Sequence, residues 1–418
     1  MIYSRVRLEK LLNYLLVFLL PTQLALHFWP PFAFVFGTRV DYLSPSIYLT
    51  DALFVIVFLF WILKNYRKFL SFLHKHRVYL FPLVILAVLN TIFSISIYAS
   101  VFKWLKLIEL VLFCYYIWVR DDIFKPKTIL TTLFYSLVFF SVIGIVQFIL
   151  GRTTGGAFYL LGERNFSLST PGIALAQLMG VKFMRAYSTF SHPNSLAGYL
   201  GVGLLVVFFS FSVKELLGKG LGLLIIFLAF VLTFSTSAFL GVAVCLIMLL
   251  LWRKRVFTTK NVGFISAGFL ITSLALPFIS QIYFNSNLHF TQNIVQRFEL
   301  SLGAGRMISK NFIFGEGLNT FVIGESKITQ LGFNLWILQP VHNIFLLVFS
   351  EMGIFGLLFF YWLIVKSFKK SFLSGSSALF LSLVFILTTG LFDHYWFTLQ
   401  QNMFLFAFIL GNSFRARS

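Results

Sequence analysis

Long apolar runs of roughly 17 to 25 residues follow one another along almost the whole chain, separated by short segments rich in Lys, Arg, Gly and Pro. The runs are unbroken and do not alternate with period two, so they read as membrane helices and exclude barrel strands. Set against their charged or turn-rich flanks, they predict about twelve spans: residues 11–29, 47–63, 78–95, 101–119, 128–150, 193–213, 221–235, 238–252, 263–282, 341–365, 376–392 and 396–411. The expected fold is all-α: a polytopic membrane protein with 1–418 as a single integral domain. The first run contains Pro21 and lacks a small-residue cleavage site, so it is expected to stay as the first span.

Composition agrees with lipid as the solvent. At 59% hydrophobic and 11% charged, with mean hydropathy +0.91, the chain carries more apolar surface than a water-exposed fold can cover. Cys114 and Cys245 both fall within apolar runs, away from any Cys-x-x-Cys or Cys/His spacing, so neither a disulfide framework nor a zinc site is expected.

Charge sets the orientation. Of 33 Lys and Arg, 22 lie in alternate connecting segments, including Lys64, Arg67, Lys68, Lys75 and Arg77 before the third span and Arg253, Lys254 and Arg255 after the eighth. The positive-inside rule makes that set cytoplasmic, with both termini inside. The net charge of +20 is then a topology signal and an attraction to anionic membrane lipid, and nucleic acid is not needed to explain it. Two long segments remain outside, 151–192 and 283–340, and both are expected to be partly structured and functional.

These outer segments hold the candidate chemistry. Lys103 and Lys106 open the fourth span beside Glu109, where i, i+3 spacing allows an ion pair with a structural role. Arg39, Arg152 and Lys182 fit solvated or snorkelling positions. Arg185 precedes a run of hydroxyls and the His192-Pro193-Asn194 turn that opens the sixth span; helix-entry chemistry accounts for Pro193 and Asn194 but leaves the arginine over. The second outer segment carries Arg297, Arg306, Lys310 and Gly315-Glu316-Gly317. Guanidiniums from separate loops suit a diphosphate, because their planar forks donate bidentate hydrogen bonds at any working pH. His342, with Asn343 beside it, opens the tenth span, as a helix cap or as an acid–base group; Gly353 and Gly356 in the following helix are expected to permit close packing. Glu163, Glu299, Glu316 and Asp393 are the outer carboxylates worth testing for a catalytic role, each expected to be structural.

The order of these features resembles the bacterial O-antigen ligase and polymerase superfamily. An arginine precedes Phe-x-His-Pro-Asn-x-Leu-Ala-x-Tyr-Leu at a helix start, an arginine lies in a large late outer loop ending in Gly-x-Gly-x-x-x-Phe, and His-Asn-x9-Gly-x-x-Gly follows. Motifs cover Arg185 to Leu358, and the first half of the chain carries almost none. The resemblance implies a GT-C-type, inverting, metal-independent glycosyltransferase without cofactor, taking a glycan from undecaprenyl diphosphate on the outer side of the cytoplasmic membrane. It implies Arg185, Arg297 and His342 as the catalytic set, with His192, Asn194, Asn343 and Arg306 at the substrate. Arg297 has the family spacing to Gly317, but Ser301 and Phe312 stand where the family often has Trp and Pro, so Arg306 stays a second candidate. The two guanidiniums would neutralise the departing diphosphate, and His342 would act as base or position the acceptor hydroxyl. The acceptor would be a lipid A core sugar for a ligase or another carrier-linked glycan for a polymerase, with ligase favoured. A lipid-linked glycan flippase is the alternative of a different class; it would call for inverted repeats or broken helices, neither of which is evident in the sequence.

Overall fold

The structure is a computed structural model that describes residues 2–124, 127–254, 258–286, 290–328 and 338–415. Lys125, Arg255 and Arg417 of the basic set lie outside the described residues, as do parts of the second outer segment. In chain order the helices are α1 (Ile2–Phe18), α2 (Leu49–Ile92), α3 (Ile97–Val119), α4 (Asp121–Phe124), α5 (Lys127–Leu150), α6 (Pro193–Ser210), α7 (Val213–Gly218), α8 (Gly220–Leu232), α9 (Thr236–Arg253), α10 (Thr259–Phe284), α11 (Gln292–Lys310), α12 (Phe321–Ile328), α13 (Ile344–Leu373), α14 (Ser377–Gly390), α15 (Tyr395–Thr398) and α16 (Gln400–Arg415). Six of these, among the described residues, are long and apolar enough to cross a membrane. The protein is a mostly helical, multi-pass membrane protein.

The hydropathy reading is corrected at three places. Helix α1 begins earlier than the first expected span and stops at Phe18, because Pro21 offers no amide hydrogen to continue the ladder. Residues beyond it are extended, with β1 (Ala25–His27) pairing antiparallel to β4 (Ser46–Tyr48) around a smaller hairpin of β2 (Phe34–Val35) and β3 (Thr38–Arg39). A third ladder, β5 (Leu175–Leu178) with β6 (Val181–Met184), lies in the first outer segment, so the fold is mostly rather than wholly α. The Lys-rich segment between the second and third expected spans is itself helical, and α2 runs through it with one non-helical residue, Asn65 (φ −126°, ψ 20°).

Contacts along α3 show that α2 folds back at that point. Its first half runs parallel to α3, with Asp51 at Lys106, Phe54 at Phe113 (5.3 Å) and Trp61 at Tyr115 (5.7 Å). Its second half runs the other way, with Phe72 at Tyr115 (4.1 Å), His76 at Trp118 (5.7 Å) and Asn90 at Trp104 (2.9 Å). The Asn65 amide donates to the Trp61 carbonyl at 3.0 Å, satisfying an acceptor at the bend.

Helices α6 and α13 sit centrally, with 67% and 72% of their apolar windows buried, whereas the figure is 17% for α9 and α10. The peripheral helices turn Leu240, Leu246, Ile247, Ile271 and Phe278 outward, a surface that lipid covers at no cost and water would not. The expected pair Lys106–Glu109 forms at 3.4 Å. Lys106 also meets Asp51, which accepts from Gln400 and from the Tyr48 amide at 2.8 Å, so the cluster binds α2, α3 and α16 together. Breaking such a buried pair by removing one partner costs about 3–5 kcal/mol.

Helix α13 is interrupted at Gly353 (φ 67°, ψ −169°), a correction to the expectation of unbroken helices. The break frees main-chain groups that the Gly-x-Gly loop takes up. Glu316 N donates to Ser350 O at 2.9 Å, Gly317 N to Glu351 O at 3.0 Å, and Ile354 N to Phe312 O at 2.9 Å. A Cβ on Gly353 would lie 2.2 Å from Ile313 O, and one on Gly315 would lie 2.4 Å from the Glu351 carbonyl. The two glycine motifs are therefore one device, a main-chain contact too close for side chains. Asn90 completes it: its amide nitrogen donates to Phe314 O and Glu351 O at 2.7 Å each, and its oxygen accepts from Trp104 Nε1 and Leu318 N. That uses the full capacity of the amide, in a place where an unpaired polar group would be costly.

Candidate active site

The site is assembled from the starts of α6 and α13, the β6–α6 connection, α11, and the turn between α14 and α15. The β5–β6 hairpin delivers Arg185, whose next residue is tied to α8 by Ala186 N donating to Leu232 O at 3.0 Å. The guanidinium donates through Nε to Thr233 O at the carboxyl end of α8, where orphan carbonyls and the helix dipole favour a cation. Through Nη2 it donates to Asn194 Oδ1 at 2.6 Å. Among the described residues, two of its five N–H groups are thus used by the fold. Burial pulls its pKa down to about 10, which still leaves it charged at neutral pH.

Asn194 passes the contact on, its Nδ2 donating to Asp393 Oδ2 at 3.0 Å. His192 is the N-cap of α6, its Nδ1 accepting from Asn194 N at 3.1 Å, with Pro193 in the first helical turn. Arg297, on α11, donates through Nη1 to Phe392 O, the carbonyl next to Asp393. Arg306 lies nine residues further on, about 13 Å along the helix, exposed and outside this network.

Asp393 and His394 are 6% and 4% exposed. The carboxylate accepts from His394 N at 2.9 Å as well as from Asn194. Burial alone would raise its pKa, but His342, His394 and then Arg297 beside it hold it at about 2. His394 Nδ1 shares a hydrogen with Thr398 Oγ1 at 2.8 Å, and Tyr42 packs edge-on against the ring at 5.3 Å. Burial lowers its pKa to about 4.

His342 lies just ahead of α13, its ring 5.1 Å from that of His394 in an edge-to-face arrangement. Its Nδ1 is buried and has no hydrogen-bond partner among the described residues. Burial and then the Arg297 charge push its pKa well below the ordinary 6.5, with Asp393 opposing, so the ring is neutral at pH 7. His342, Asp393 and His394 offer ligand atoms within 4.8 Å of one another, a set that could hold a metal ion. Ligand nitrogens of a tetrahedral zinc would stand roughly 3.3 Å apart, given bonds of ~2.0–2.1 Å, and both Asp393 oxygens are already engaged.

Asn343 is spent on the fold: its Oδ1 accepts from Phe345 N and Leu346 N at 3.0 Å each, and its Nδ2 donates to Ser273 and to Leu391 O. Glu163 likewise ties its loop to α5, accepting from Gln147 as well as from Thr154 N and Gly155 N, and Glu316 accepts from Asn311 at 2.7 Å. Of the residues singled out by sequence, the structure brings together Arg185, His192, Asn194, Arg297 and His342. It adds His394, which sequence reasoning passed over, and puts Asp393 at the centre. Their signal was an Asp-His pair in a short turn between two apolar runs.

Residues 221–361 match the family model described as O-antigen ligase, a segment that includes Arg297, Arg306 and His342 and leaves out Arg185 and Asp393. No curated protein matches the chain.

Proposed function

Because the chain belongs to the O-antigen ligase and polymerase superfamily, we propose that it is an inverting glycosyltransferase that moves a glycan from undecaprenyl diphosphate to a lipid A core sugar. The reading includes about twelve spans in a GT-C-type arrangement, a single integral domain, both termini in the cytoplasm, and a site open to the outer face of the inner membrane. The observation that carries it is the convergence of two guanidiniums from separate outer segments on the buried Asp393, beside a neutral imidazole whose Nδ1 has no partner among the described residues.

The chemistry follows from those groups. The acceptor hydroxyl attacks the anomeric carbon as the carbon–oxygen bond to the diphosphate breaks. His342 takes the hydroxyl proton, and Asp393 steadies the imidazolium that results. The bonding electrons leave with the diphosphate, whose growing charge meets the guanidiniums of Arg185 and Arg297. With that charge supplied by arginines, the reaction runs without a metal.

The test is transfer in detergent with carrier-linked glycan and lipid A core acceptor, with chelator present. Glycosylated acceptor and free undecaprenyl diphosphate are the expected products, lost in His342→Ala and Arg297→Ala. Carrier-linked chains that lengthen instead would make it a polymerase, and activity abolished by chelator would move the chemistry to a metal. The interrupted helix α13 is a feature also found in transporters. Its freed carbonyls, however, are filled by the Gly-x-Gly loop, which leaves them no ion to bind. Glycan crossing a reconstituted bilayer without product would overturn the transferase reading.

A further inference from the structure

Far from the outer cluster, the bend in α2 opens a cavity of about 550 Å3 between α2, α3 and the segment after α3. Lys68, Phe72 and Lys75 line it from one face of α2, at the i, i+4 and i+7 positions that a helix stacks together. Aromatic rings of α3 form the opposite wall: Tyr115 lies 4.1 Å from Phe72, and Trp118 lies 6.4 Å from Tyr115.

The cavity also contains two carboxylates, but both serve Arg120. Glu9 pairs with its Nη1, and Asp122 pairs with its Nη2 at 2.7 Å. Lys64 reaches Glu9 only at 3.8 Å and is half exposed. Lys68 and Lys75 make no ion pair among the described residues, so the cavity presents uncancelled ammonium groups over an apolar floor. Its level along the chain is informative. It sits where Trp61 nears the end of one apolar run and Val119 ends another, the depth at which Trp and Tyr meet lipid headgroups.

We propose that this cavity seats the phosphate of an anionic phospholipid, held by Lys68 and Lys75 with the glycerol region against Phe72, Tyr115 and Trp118. A basic pocket between helices at the membrane surface selects by charge, and a zwitterionic headgroup brings its own cation into the same space. The volume suits a headgroup and is too small for a folded partner.

The proposal does not depend on the catalytic reading. Along α3, Lys103 near His394 and Val119 at the cavity are about 24 Å apart, so binding here is measured apart from transfer.

The test titrates the purified full chain, in neutral detergent, with phosphatidylglycerol, phosphatidylcholine or inorganic phosphate, following bound lipid by native mass spectrometry and the thermal midpoint. Phosphatidylglycerol should bind and raise the midpoint, and phosphatidylcholine should do neither. Lys68→Gln and Lys75→Gln should each weaken phosphatidylglycerol about fivefold, while Lys182→Gln, an exposed lysine in the β5–β6 hairpin, should not. Equal binding of both lipids, or unaltered binding in the Lys68→Gln/Lys75→Gln double variant, would overturn the proposal. Inorganic phosphate protecting as well as the lipid at equal concentration would also overturn it, and would assign the cavity to a soluble anion.

Discussion

The outer cluster and the cavity at the bend of α2 hold charge in opposite ways. Around Asp393 the ionised groups are partly or wholly withdrawn from water, and both oxygens of the Asp393 carboxylate accept hydrogen bonds. At the bend, Lys68 and Lys75 face solvent and pair with no carboxylate among the described residues. Burial makes a charge expensive unless it is paired, whereas exposure makes it cheap, and its effect then comes through number and placement.

Four experiments break or sharpen that contrast. The largest effect is expected from His342→Ala and Arg297→Ala, each lowering transfer by about 10²- to 10⁴-fold, as loss of a base or of a charge-stabilising donor does. Arg306→Ala, outside the network, should cost less than tenfold in the same assay, and equal losses for the two arginines would erase the distinction drawn between them.

Next is Gly353→Ala. The backbone there is left-handed and the new Cβ would meet a main-chain oxygen at 2.2 Å that has no room to yield. A loss of roughly 3 kcal/mol or more follows, read as a lowered thermal midpoint in detergent. An unchanged midpoint would mean that the loop does not dock on α13.

The pH dependence comes third. Unfolded imidazole takes up a proton near 6.5 and folded His394 only near 4, so the unfolded state binds more protons between those values. Stability therefore rises with pH across that window and is lost on acidification, by about 3 kcal/mol at pH 4. For His342, held neutral by burial, the acid limb of the transfer rate should fall below pH 6.5. Asp393→Asn removes the charge that opposes this shift and should move the limb lower still. A limb at or above 6.5 would show a solvated imidazole.

The smallest effect is reserved for the other region. Lys75→Gln in lipid-free detergent should change stability by no more than about 0.5 kcal/mol, as exposed substitutions usually do. A larger drop would mean that the fold itself relies on this charge, as it does on those around Asp393.

Hydropathy made most of the helices legible, because lipid enforces one signal over every crossing segment. It could not show that Pro21 ends α1 early, since Leu24, Leu26 and Phe28 are equally apolar in a strand. Charge at 64–77 announced a reversal, but Lys and Arg are good helix formers, so the reversal is a bend at Asn65 rather than a loop. At the site, Arg185 and His342 stood out beside expected span starts, and Arg297 through its spacing to Gly317 in the resemblance. His394 did not, and Asp393 stood only as one outer carboxylate among four, because their place depends on α6 and the turn between α14 and α15 meeting, and no local pattern encodes a contact 199 residues apart. Asn343 was read as a substrate group, and the structure gives it a helix cap; the same amide serves either purpose until its neighbours are known.

The seam between residues 312–317 and α13 is stitched by backbone atoms, and this sets what drift the segment can accept. Side chains add to the joint, since Asn90 donates to Phe314 O and Glu351 O and the Phe314 ring lies 6.4 Å from that of Phe355, but its three loop-to-helix bonds are main-chain ones. An insertion or deletion of a single residue between Phe312 and Gly317 would put those bonds out of step at once, so homologues should hold this length constant.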